Sequence, residues 1–77
     1  MTHMKLKFRE TKQILNFVNL IKDCAFDADI RYGHIVVDAK SLMGVMAVAS
    51  NKEVELILHA SEENSQTITS RLTAFAA

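Results

Sequence analysis

The chain has 77 residues, enough for one domain, and nine Lys/Arg balance nine Asp/Glu. A net charge of zero argues against a nucleic-acid binder that neutralises many phosphates and against a polybasic membrane patch. The apolar fraction of 49% and charged fraction of 23% are those of a folded globular protein, and a single cysteine excludes an internal disulfide.

A reduced chain of this kind fits a cytoplasmic setting. No apolar run approaches the roughly 18 residues of a membrane span. Residues 1–9 alternate charged with apolar groups, unlike a secretory signal. A domain this small buries only about 60 to 65% of the surface its unfolded chain exposes, so a modest stability is expected.

Residues 4–9 alternate: Met4, Leu6 and Phe8 point one way and Lys5, Lys7 and Arg9 the other, which predicts a strand with one wet face. The period then changes. Ile14, Phe17, Val18, Ile21 and Ala25 recur at helical spacing, predicting a helix over 11–24 with Thr11 as its N-cap. Leu15 and Leu20 widen the stripe. Ala28, Ile30 and Tyr32 alternate with Asp29 and Arg31 in a second strand over 27–32. Gly33-His34 supplies a turn, and the β-branched run Ile35-Val36-Val37 gives a third strand over 34–38, closing a hairpin.

Ser41 is placed to cap a short helix over 41–48, which Gly44 weakens by up to about 1 kcal/mol relative to Ala. Val54, Leu56, Leu58 and Ala60 alternate with Glu55, Ile57 and His59 in a fourth strand over 53–60. The acidic stretch Ser61-Glu62-Glu63-Asn64 suits a helix start, and Ile68, Leu72 and Phe75 mark one face of a helix over 64–75. The order β-α-β-β-α-β-α implies a single α+β domain over residues 1–77: an antiparallel sheet with helices on one face. Lys5, Lys7, Arg9, Asp29, Arg31, Glu55 and His59 would line the outer face, where mixed signs predict cross-strand pairs.

Residues 38–48 carry a specific string, Asp38-Ala39-Lys40-Ser41-Leu42-Met43-Gly44-Val45-Met46-Ala47-Val48. Its core, Lys40 to Met46, resembles the regulatory serine segment of HPr, the histidine-containing phosphocarrier of the bacterial sugar phosphotransferase system, above all in its Gram-positive form. Phe26-Asp27-Ala28-Asp29-Ile30 resembles that family's second strand and Phe17-Val18 its first helix. The resemblance runs from about residue 4 to residue 75. It implies an open-faced β-sandwich with strand order 1-4-2-3 and a non-enzymatic role.

The chain departs from the family at its active site. There the family reads His-Thr-Arg-Pro at the start of the first helix, and this chain reads Glu10-Thr11-Lys12-Gln13. Glu10 takes the position of the phosphorylatable histidine, and a carboxylate cannot replace an imidazole that carries a labile phosphoryl group. The resemblance is therefore to the Crh branch, which lacks the histidine and keeps the serine. It implies regulation by phosphorylation at Ser41 and a partner-binding surface of Lys40, Leu42, Met43 and Met46, with Thr11 and Lys12. The implied partners are a serine kinase, a transcriptional regulator or components of the phosphotransferase system, with neither nucleic acid nor membrane among them. The chain is expected as a monomer or a weak or domain-swapped homodimer.

Other readings of the same residues stay open. Ser41 can be a helix cap alone, Glu10 a first-turn carboxylate favoured by the helix dipole, and the methionines core residues. As whole-protein alternatives, a residual phosphocarrier could use an unorthodox acceptor, or the chain could be a small-molecule-sensing module of the ACT or ferredoxin-like type. His3, in a terminus expected to fray, His34 in a turn and His59 on a wet strand face have no partners at metal-ligand spacing, so no metal site is expected. Nor does any cofactor-binding motif occur. Cys24 reads as a buried, inert thiol.

Overall fold

The computed structural model describes all 77 residues. Strands β1 (Thr2–Lys7), β2 (Ala28–Tyr32), β3 (Ile35–Asp38) and β4 (Glu53–Leu58) form one antiparallel sheet of order β1-β4-β2-β3. Helices α1 (Thr11–Ile21), α2 (Leu42–Ala49) and α3 (Glu62–Arg71) cover one face, and a 3₁₀ turn, Thr73–Phe75, follows. The α+β reading and the strand order implied by the resemblance therefore hold.

The alternation in the strands divides the sheet. Leu6, Phe8, Ala28, Ile30, Val54, Leu56 and Leu58 point inward and are fully buried. They meet Ile14, Phe17, Val18 and Ile21 of α1, Val45 and Ala49 of α2, and Ile68, Leu72 and Phe75 at the C-terminal end. Phe8, Phe17 and Phe75 form a three-ring cluster with centroids 5.1, 5.6 and 6.2 Å apart. Burying each ring contributes on the order of 2 to 3 kcal/mol, so this cluster anchors β1, α1 and the C-terminus to one another.

Several boundaries differ from the sequence reading. β1 starts at Thr2, so His3 is in the sheet opposite Ile57 and not in a frayed terminus. β1 ends at Lys7; Phe8 makes only an isolated parallel bridge to Ser50, and the Arg9 N–H turns to Gln13 Oε1 at 2.6 Å. That turn makes Glu10, in extended conformation, the N-cap of α1, while Thr11 is the first helical residue and caps nothing. Glu10 makes no side-chain capping bond. α1 stops at Ile21, which leaves Ala25 outside the helix and exposed. β4 stops at Leu58, because Ser61 caps α3 earlier than expected through Asn64 N–H at 3.2 Å.

On the outer face the expected cross-strand pairs are present. Glu55 of β4 receives His3 Nδ1 at 2.9 Å from β1 and the Arg31 guanidinium from β2. His59 Nε2 lies 2.7 Å from Asp29 Oδ2. The imidazole contact, together with the Arg31 charge, holds the Glu55 carboxyl below the usual carboxylate range. His3 is the member of this network that the sequence reading missed.

Candidate functional site

The string that stood out in sequence lies on α2. Ser41, extended at φ −96° and ψ 110°, is the N-cap, and its Oγ accepts the Gly44 N–H at 3.3 Å. Val45 N–H closes the first helical bond to the Ser41 carbonyl at 3.0 Å. The Leu42 and Met43 N–H groups have no acceptor within the chain. Two free donors at the positive end of the helix dipole thus flank an exposed hydroxyl.

The apolar residues around it separate by helical phase. Val45, Val48 and Ala49 are buried, and Leu42 packs half-buried against the core. Met43 is 82% exposed and Met46 is also exposed. Of the three residues that could form an apolar patch, the two methionines face solvent and Leu42 is largely structural.

Lys40, placed on the partner-binding surface by the resemblance, has its ammonium engaged within the chain. Its Nζ donates to the Cys24 carbonyl at 2.7 Å, and its backbone N–H donates to Asp38 Oδ1 at 2.9 Å. The side chain is half-buried and tied to the end of α1. Beside it, burial pushes the Cys24 thiol up, partly offset by the Lys40 charge, so the thiol stays protonated near neutrality, in keeping with an inert role. Cys24 is half-buried, not fully buried as expected.

Thr11 and Lys12 are exposed at the other end of this face. A cavity of about 170 Å³ at the start of α1 is lined by Phe8, Arg9, Glu10, Thr11, Ile14, Ser50 and Asn51. Ser50 and Asn51 follow α2, so the start of α1 meets the end of α2, while Lys40 joins the start of α2 to the end of α1. The two helices run antiparallel, and an eight-residue helix separates Ser41 from Glu10 by about 12 Å of axis. Ser41 with Met43 and Thr11 with Lys12 therefore occupy opposite ends of the α2 surface, with Met46 between them. Asn51 holds a positive φ of 58° and donates its N–H to the Phe8 carbonyl at 3.2 Å, which fixes the cavity wall. No histidine lines this cavity: His3 and His59 are engaged on the outer sheet face and His34 lies in the β2–β3 turn.

A family model described as the PTS HPr component phosphorylation site, PTS being a phosphotransferase system, matches residues 10–77. The chain belongs to the HPr family. The match begins at Glu10, the N-cap of α1. Solved structures of HPr proteins share the fold, two of them as follows. HPr-C-His from Thermoanaerobacter tengcongensis superposes with a TM-score of 0.73 at 18% identity, covering 96% of this chain and 92% of that one. The phosphocarrier protein HPr from Bacillus anthracis str. Ames gives 0.71 at 18% identity, covering 99% and 96%. No curated protein sequence matches the chain. Membership of this family favours the HPr reading over the ligand-sensing alternative, and HPr proteins are phosphocarriers rather than enzymes. No helix is long and apolar enough to cross a membrane.

Proposed function

We propose that this HPr-family chain is a regulatory or protein-interaction module that has lost phosphocarrier chemistry and is read at Ser41. One contrast carries the reading. The start of α1 presents the Glu10 carboxylate and no imidazole, while the start of α2 presents an exposed serine, two free N–H donors and an exposed methionine. A carboxylate in that place can form no phosphoramidate bond. A phosphate on Ser41 would add about −1.5 to −2 charge where backbone donors and the helix dipole receive it, so the fold would tolerate the modification. The effect falls on partners: a charged oxygen cluster beside Met43 changes which surface can dock there. The partners that fit are a serine kinase and a component or regulator of a sugar phosphotransferase system, in a cytoplasmic setting and with catabolite repression as the regulatory context.

The test has two arms. Incubation with phosphoenolpyruvate and the general phosphotransferase enzyme should leave all three histidines unphosphorylated. Incubation with an HPr serine kinase and ATP should add one phosphate, mapped to Ser41 by mass spectrometry. Acid-labile phosphate on any histidine would restore the phosphocarrier reading, and an inert Ser41 would reduce that residue to a cap.

A further inference from the structure

We propose that β3 is a self-pairing edge, through which two copies of this chain join their sheets antiparallel about a two-fold axis at Val36. β3 is a terminal strand of the sheet. It has no proline, no lysine and no bulge within Ile35–Asp38, so only its four-residue length and the Asp38 carboxylate oppose edge pairing. Ile35 and Val36 are each 54% exposed, on opposite faces of the strand.

The hairpin fixes which backbone groups are free. Gly33 alone takes positive φ in the two-residue turn, the pattern of a type II′ hairpin, and Tyr32 pairs with Ile35 across it. Hydrogen-bonded pairs then recur every second residue, and Ala39 N–H to Ala28 O at 2.9 Å confirms the phase. Ile35, Val37 and Ala39 therefore bond inward to β2. Val36 turns its N–H and C=O outward.

A two-fold axis at Val36 satisfies that free pair with the same pair of the partner's Val36, giving two backbone hydrogen bonds at the centre. On the helix side it sets Ile35 against the partner's Val37 in the closer, non-hydrogen-bonded spacing, twice. On the outer face it sets Val36 against its own copy. At each end it brings His34 to the partner's Asp38. Asp38 lies opposite Asp29 in the β2–β3 register and no cationic side chain lies within ion-pair distance of it. The monomer already pairs imidazole with carboxylate twice on this face. Shifting the axis by one residue to Val37 loses the His34–Asp38 match and sets Asp38 beside Val36.

Four residues per copy make a contact below the size of stable interfaces, so the association is weak, with a dissociation constant in the high-micromolar range or above. Sedimentation equilibrium of the full chain from about 10 µM to about 1 mM should show the mass rising from monomer toward dimer. Val36→Lys should remain monomeric at the highest concentration with an unchanged far-ultraviolet circular dichroism spectrum. In a Cys24→Ala background, mild oxidation of Val36→Cys should give a disulfide-linked dimer at least tenfold faster than Ile35→Cys, because only position 36 faces itself. A strictly monomeric wild type, a dimer indifferent to Val36→Lys, or faster linkage at position 35 would overturn the proposal. The first outcome would leave the edge to a strand from another protein, and the second would move the interface elsewhere.

Discussion

Lys40 Nζ donates to the Cys24 carbonyl oxygen at 2.7 Å across sixteen residues of sequence. The bond joins the segment that precedes α2 to the turn that follows α1, so the two antiparallel helices are latched at this end by an ammonium on a carbonyl. A cation near the final carbonyls of a helix is also favoured by the dipole. Replacing Lys40 with Ala should lower stability by about 1 kcal/mol, which for a domain of this size is roughly 4 to 8 °C in Tm. Lys40→Met keeps the apolar stem and removes only the donor. If Lys40→Met melts with the wild type, the bond contributes nothing and the stem is all that matters.

The sheet's outer face gives a pH dependence whose sign follows from Glu55. Its folded-state carboxyl is held below the ordinary value, first by the His3 contact and then by Arg31. The unfolded chain therefore takes up the proton first as pH falls. The stabilisation is fully present above the ordinary carboxylate value and is lost as pH drops through the folded one. The groups are partly solvated, so the contribution is about 0.2 to 1 kcal/mol. Urea midpoints measured from neutral pH down into the acid range should show Glu55→Gln less stable at neutrality and converging with wild type at the acid end. A constant gap across that range would remove Glu55 from the pH response.

Legibility in the sequence followed the range of the interaction. Met4 and Leu6 announce β1 through alternation alone, although the same alternation runs on to Phe8 beyond its end, and Ile14, Phe17, Val18 and Ile21 announce α1, because burial on one face imposes its period on the chain. Met1-Thr2-His3 carries no such period, so the start of β1 was not visible; it is set by pairing with β4 more than fifty residues away. Cap preference points to Thr11, one position past the observed N-cap Glu10, because the Arg9–Gln13 bond and not side-chain preference fixes where the helix begins. Ser41 was legible as a cap, since the bond that makes it one spans three residues. Lys40 was not, since its partner is a backbone carbonyl that no side-chain pattern reports.

Gly44 looked like a weakness within α2 and has a packing reason. A Cβ there would stand 3.3 Å from Ser41 Oγ and 3.4 Å from Val37 Cβ. Alanine gains about 1 kcal/mol in helix propensity, yet it crowds the oxygen that caps its own N–H. Gly44→Ala alone should change stability by less than about 0.5 kcal/mol, and in a Ser41→Ala background it should stabilise by more than that. Denaturant unfolding of the four-member cycle measures the coupling. Strict additivity would mean that the capping oxygen and the glycine are independent.

Ser41 itself combines a structural role with the proposed regulatory one, and the two come apart by substitution. Ser41→Ala removes the acceptor for Gly44 N–H and should cost about 1 kcal/mol. Ser41→Asp keeps an N-cap acceptor and adds negative charge at the helix start, so its stability should match or slightly exceed wild type. Because Lys40 is already bonded to the Cys24 carbonyl, the added charge is received by the Leu42 and Met43 N–H groups rather than by an ammonium. Phosphoserine should follow Ser41→Asp in stability while binding partners differently, since a dianion with three oxygens carries more charge and more acceptors than one carboxylate. Amide chemical shifts of residues 41–44 provide the readout. Phosphorylation should move the Leu42 and Met43 N–H signals most and leave the outer sheet face unmoved. A shift centred on Lys40 and Cys24, with loss of stability, would show that the phosphate captures the lysine and unlatches α1 from α2.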